Sequence, residues 1–160
     1  MTIMVLGLSC SGKSTFSTKL GELLDLKVIH LDHYYWKTPW IINDNFNIND
    51  FIQKDNCIID GNYFSHSFTD RLSHCDLIIY INCNVFYRIF RMIRRHIFYC
   101  ICPKNKNAIS QKINIQFVFL TIKKQLFWQP KIIRYLKKNC SNKFIYIKNI
   151  KNIQIGNQNA

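Results

Sequence analysis

Apolar residues gather along this chain in short unbroken runs separated by stretches of helical period. "TIMVLG" (Thr2 to Gly7), "KVIHLD" (Lys27 to Asp32), "NCIIDG" (Asn56 to Gly61), "DLIIYIN" (Asp76 to Asn82) and "KFIYIKNI" (Lys143 to Ile150) each predict a strand. After the first of them, Phe16, Leu20, Leu23 and Leu24 recur at helical spacing. From Val85 to Phe98 a second helix is predicted. Phe86, Ile89, Phe90, Ile93 and Ile97 share one side of it, and Arg88, Arg91 and Arg95 share the other. A loop rich in Pro, Asn and Lys, Pro103 to Asn107, then leads into a long helix from Ile113 to Lys138 with a break near Pro130.

Strands alternating with helices predict an α/β fold of three layers: a five-stranded, mostly parallel sheet covered on both faces. In such sheets ligands bind beyond the carboxyl ends of the strands. A chain of 160 residues, 48% of them hydrophobic, fills one core, so a single domain over 1–160 is expected, with a helical basic lid region at about 99–112. No internal repeat is visible.

Composition narrows the setting. The most hydrophobic helical segment, Val85 to Cys102, is interrupted by Arg88, Arg91, Arg94 and Arg95, which argues against a membrane span. No Lys or Arg precedes the first apolar run, so it does not read as a secretory signal, and a cytoplasmic protein is expected. The seven cysteines are an odd, scattered set that reads as reduced thiols. Cys100 and Cys102 are too close together for a zinc knuckle.

Charge changes the picture more. The formal net charge is +13, and every Asp and Glu lies at or before Asp76. A uniformly basic second half suits a polyanion such as DNA or RNA. A chain rich in Ile, Asn and Lys also reflects A/T-rich codons, so charge alone does not choose nucleic acid as a partner.

The chemistry begins with "GLSCSGKST", residues 7 to 15, which fits G-x-x-x-x-G-K-[ST] between a predicted strand and a predicted helix. That setting turns main-chain N–H groups and the positive end of a helix dipole toward one anion. Gly7, Ser11, Gly12, Lys13, Ser14 and Thr15 are the candidate phosphate-binding residues. Lys13 would reach the β- and γ-phosphates of ATP, and Ser14 would offer its hydroxyl to Mg²⁺.

Asp32 and Asp60 both end predicted strands, so the sheet rule gathers them beside this loop. Asp60 is read as the Mg²⁺ partner and Asp32 as the acceptor-side carboxylate, although the two roles are interchangeable at this level. The arginine stripe, Arg91 and Arg95 in particular, is suited to transferring phosphates from a closing lid; its other reading is a solvated helix face. Trp36 and Trp40 either stack on a planar substrate or cover an edge of the core.

Several motifs together carry a resemblance: "GLSCSGKST", "VIHLDHYYWKTPW", "IIDGNY", "DRLSHCDLIIYI" and "RMIRR", spread over residues 1 to 99. The chain resembles the small P-loop kinase-like proteins labelled topology modulation protein, relatives of adenylate kinase with the nucleoside monophosphate kinase-like fold. The resemblance implies an ATP-binding, kinase-like site with Asp32 and Asp60 near metal and acceptor, Arg91 and Arg95 on the lid side, and Asn62, Tyr63 and Arg71 facing the acceptor. The chain departs from the pattern in placing Pro39 next to Trp40, in having no acidic residue after Asp76, and in the neutral-basic pair Gln111 and Lys112.

Two functions follow as expectations. One is an ATP-dependent phosphotransferase acting on a small-molecule or nucleotide acceptor. The other is a nucleotide-regulated DNA- or RNA-binding protein with weak ATPase activity. Helix-turn-helix and zinc-finger signatures are not evident, which disfavours the second.

Overall fold

Ile3–Leu6 forms strand β1, and all four residues are buried, as a strand covered on both faces requires. The computed structural model describes residues 1–38, 41–43, 45–47, 49–52, 56–62, 68–101 and 115–148. Helix α1 (Lys13–Leu24), strand β2 (Lys27–His30) and helix α2 (Leu31–Tyr35) follow, then a small antiparallel pair, β3 (Trp36–Thr38) and β4 (Ile41–Ile42). Next come α3 (Asn49–Ile52), β5 (Cys57–Asp60), α4 (Phe68–His74), β6 (Leu77–Ile81) and α5 (Val85–Ile101). The last elements are α6 (Ile115–Lys123), a π-helical stretch Lys124–Trp128, α7 (Gln129–Asn139), a 3₁₀ turn Ser141–Lys143 and β7 (Phe144–Ile147).

The five predicted strands are the five strands of the main sheet, ordered β2-β5-β1-β6-β7 and parallel throughout. After β1 the chain moves past β5 to β2, whereas after β5 it moves back past β1 to β6. The direction of winding therefore reverses between the neighbours β1 and β5, and a crevice opens beyond their carboxyl ends. Val5 pairs with Asp60 across this point.

One face of the sheet packs Met4, Leu6, Ile78 and Tyr80 against Leu72 of α4 and Leu136 of α7. The other packs Ile3, Val5, Ile58, Ile79 and Ile81 against Phe16 of α1. Helix α1 does not bury its leucine end: Leu23 and Leu24 are exposed, and Phe16, Ser17 and Gly21 face inward. A Cβ on Gly21 would lie 2.5 Å from Val28 Cγ2 and 2.8 Å from the Leu26 carbonyl oxygen, so glycine lets the helix close onto β2.

Helix α5 is turned the opposite way from a conventional amphipathic helix. Phe86, Phe90, Ile93 and Ile97 point outward, with Phe86 77% exposed, while Arg88 is 1% exposed and Met92 2%. The arginine stripe is therefore neither a solvated face nor a free one along its first two turns. Its acceptors are in the site described below.

The expected long helix is interrupted earlier than at Pro130. Proline lacks the N–H that would bond the carbonyl four residues back, and its ring crowds that carbonyl. The chain widens into the π-helical stretch just before it, and Pro130 lies in the first turn of α7. The short elements α2, β3, β4, α3 and α4 have no counterpart among the predicted ones; each is too brief to show a period. Of the expected lid, residues 99–101 finish α5, whereas 102–112 lie outside the described residues, as do Trp40 and Tyr63. Among the described residues, no helix is long and apolar enough to cross a membrane, and Cys10, Cys57, Cys75, Cys83 and Cys140 are free thiols.

Candidate functional site: a phosphate loop held from two sides

The loop from Gly7 to Gly12 joins the buried end of β1 to the first turn of α1. Gly7 has φ +151°, and a Cβ there would meet the Ile81 carbonyl oxygen at 2.5 Å, Ser11 Oγ at 2.9 Å and Lys13 Cγ at 3.2 Å. Only glycine allows the Lys13 stem to cross so close to the end of β1. Cys10 and Gly12 both have positive φ, 61° and 96°, and Ser11 N–H closes a tight turn onto the Leu8 carbonyl at 3.1 Å. The first helical bond runs from Phe16 N–H to the Gly12 carbonyl. The N–H groups at the start of α1 thus have no partner inside the helix and are available to an anion. Ser14 and Thr15 are exposed in this first turn, Lys13 is half-buried, and the buried Ser11 hydroxyl has no hydrogen-bond partner.

Asn62 holds the loop from the β5 side. Its Oδ1 accepts from Gly7 N–H at 3.0 Å, and its Nδ2 donates to the Gly7 carbonyl at 2.6 Å. Arg71 of α4 is 2% exposed and fixes that segment in turn, donating to the carbonyls of Gly61 at 3.2 Å and Asn62 at 2.8 Å.

Helix α5 holds the loop from the β6 side. Arg88 Nε donates to the Ser9 carbonyl at 2.8 Å. Arg91 Nη1 reaches the carbonyls of Cys10 at 3.3 Å and Ser11 at 3.2 Å. In a trans peptide a carbonyl and the next N–H point in opposite directions. Pinning these carbonyls toward α5 therefore turns the N–H groups of Cys10 and Gly12 away from it. Burial lowers the Arg88 pKa from its usual range, partly offset by Cys10, Tyr80 and Cys83. Arg95, on the same stripe, is exposed.

The carboxylate side is built on neighbouring strand ends. His30 and Asp60 pair across β2 and β5, with His30 Nδ1 and Asp60 Oδ2 2.8 Å apart. Asp60 is 4% exposed, and its other oxygen, Oδ1, is buried with no hydrogen-bond partner. Asp32 does not end its strand as expected: β2 stops at His30, the chain turns directly into α2, and Asp32 lies exposed in the first turn of that helix. The backbone of Trp36 opens β3. A hydrated Mg²⁺ needs one or two protein oxygens in addition to phosphate; the orphaned Asp60 oxygen and the Ser14 hydroxyl are a donor set of that kind.

Three participants escape a reading of the sequence. His30 looks like part of a strand, Arg88 like one more member of a stripe, and Gln125 carries no local signal. Gln125 Oε1 accepts a short hydrogen bond from Arg88 Nη1, and its Nε2 donates to the Cys83 carbonyl at 3.3 Å.

The parallel sheet, its reversal point and the glycine loop between β1 and α1 define a P-loop α/β fold. No protein-family model and no curated protein matches the chain. Solved structures that resemble it in chain path include three kinases. One is a deoxyadenosine kinase from M. mycoides with bound dATP, at TM-score 0.49 and 15% identity over 92% of this chain and 91% of that one. Another is a shikimate kinase from Aquifex aeolicus vf5, at 0.46 and 17% over 83% and 98%. The third is a shikimate kinase from Acinetobacter baumannii in complex with shikimate, at 0.47 and 14% over 89% and 94%.

Proposed function

We propose that this chain is an ATP-dependent phosphotransferase that moves the γ-phosphate to a small-molecule or nucleotide acceptor. The observation that supports it best is the juxtaposition of the glycine loop on β1 with Asp60 on the adjacent β5, one carboxylate oxygen of which is buried without a partner. An unsatisfied buried acceptor next to an anion cradle is the environment a phosphate-bound cation needs.

Each residue then has a job. The N–H groups from Gly12 to Thr15, with Lys13, hold the phosphates, and Ser14 and Asp60 would hold Mg²⁺. The ion supplies charge neutralisation on the transferring group when bound with ATP. Asp32 orients or deprotonates the acceptor oxygen, reaching in from α2. Arg91 and Arg95 supply positive charge from the α5 side. Asn62 and Arg71 serve the site by holding the loop, and Trp36, Trp40 and Tyr63 lie in sequence where an acceptor would be recognised. The kinship to topology modulation proteins and a cytoplasmic location belong to the same reading.

The test is ADP release from ATP and Mg²⁺ against a panel of nucleoside monophosphates, nucleosides and small metabolites. Acceptor-dependent turnover is expected, lost by ~100-fold or more in Lys13→Ala and Asp32→Asn. ATP binding with no acceptor effect, together with nucleotide-dependent and steeply salt-dependent DNA or RNA binding, would replace this reading with the nucleic-acid one.

A further inference from the structure

We propose that Gln125 is a positioning residue for the phosphate loop, acting through Arg88; the inference rests on that loop binding nucleotide phosphates, as argued above. Gln125 lies in the π-helical stretch Lys124–Trp128, a rare geometry that is frequent at functional sites. Its side chain is bonded at both ends, to Arg88 through Oε1 and to the Cys83 carbonyl through Nε2. The link continues from Arg88 Nε to the Ser9 carbonyl, so one chain of hydrogen bonds joins the helix after residue 115 to the loop.

Arg88 makes this link consequential. A guanidinium that is 1% exposed carries donors only and must find acceptors inside the protein. Gln125 and Ser9 provide them on two sides. An Arg88 deprived of Gln125 keeps a buried Nη1 donor with no side-chain acceptor, so the guanidinium is no longer braced and its hold on the Ser9 carbonyl loosens. Once that carbonyl is free, the peptide joining Ser9 to Cys10 can rotate, and the loop that leads into the Gly12 and Lys13 N–H groups is no longer held in one orientation. Gln125 thus makes α6 and the π-helical stretch part of the phosphate site without touching ligand.

The experiment compares the full chain with Gln125→Ala, Gln125→Met and Gln125→Glu. The first two remove both the acceptor for Arg88 and the donor to the Cys83 carbonyl; the third keeps the acceptor and loses only the donor, which isolates the Arg88 link. Two readouts are taken: calorimetric titration with Mg·ATP, and amide hydrogen exchange of the segment Ser9 to Gly12 in protein without nucleotide. The expected result is ATP affinity weakened ~10-fold in Ala and Met and restored to within ~3-fold in Glu, with faster loop exchange in Ala and Met only. Met covers the case in which Ala does not fold. A merely structural residue would lower the melting temperature and leave affinity and loop exchange unchanged. Unchanged loop exchange in Ala and Met overturns the inference, as does a Glu variant that behaves like Ala. If the wild-type protein fails to bind ATP while the exchange pattern appears, the positioning role stands and the nucleotide reading falls.

Discussion

The side-chain amide of Asn62 pairs with the main chain of Gly7 in both directions, Oδ1 accepting at 3.0 Å and Nδ2 donating at 2.6 Å. It ties the two chain segments together two residues past the last paired residues of β1 and β5, Val5 and Asp60. Asn62→Asp puts a carboxylate oxygen against the Gly7 carbonyl in place of a donor. A loss of about 1–3 kcal/mol is expected in urea unfolding, with weaker ATP binding. Asn62→Gln, which keeps both groups on a longer stem, should show whether reach matters as much as chemistry.

Arg71 is a buried cation whose guanidinium is taken up by the carbonyls of Gly61 and Asn62. Arg71→Met removes both bonds and leaves both carbonyls short of a donor. The expected cost is about 3 kcal/mol, read by denaturant or thermal unfolding. A fully stable Arg71→Met protein would mean that those carbonyls find water instead.

The orientation of α5 is open to a direct test. Phe90 is 64% exposed and Met92 2%. Phe90→Ser should leave stability within about 0.5 kcal/mol, whereas Met92→Ala should cost about 2–4 kcal/mol. The reverse result would mean that the helix is rotated by half a turn from the arrangement described.

Alkaline pH should weaken the fold through Cys75. Burial raises its thiol pKa from 9.0 to about 11. In the folded protein the thiol keeps its proton where the unfolded chain has lost it. The contribution is thus complete below about pH 9 and disappears as pH rises toward 11, by about 1.4 kcal/mol per pH unit across that window. Unfolding free energy measured from pH 8 to pH 11 should fall, and Cys75→Ala should flatten that fall. Tyr80, also raised by burial, contributes in the same direction at higher pH.

Much of the fold was legible because short apolar runs have one stable use in an α/β chain. A buried parallel strand must be apolar on both faces, so β1, β5 and β6 announce themselves. The phosphate loop was legible for a related reason: few backbones need glycine at position 7 and again at 12 before Lys-Ser-Thr. Asp60 was placed by ending a strand. The small pair β3 and β4 and the short helices α2 to α4 were not legible, because two to seven residues show no period.

By itself, then, the sequence determined the five strands, the helix after the first, the loop between them and the strand-end carboxylate Asp60, all of which follow from residues close together in the chain. The tertiary structure decided which way α5 faces, what Asn62 and Arg71 hold, and that Gln125 reaches Arg88. The period of α5 separates arginines from phenylalanines without saying which side lies inside. Burying the arginines is tolerable only because acceptors arrive from elsewhere, Ser9 from 79 residues before Arg88 and Gln125 from 37 residues after it. No local pattern encodes such distant partners, since they exist only once the strands have been ordered and the helices laid across them.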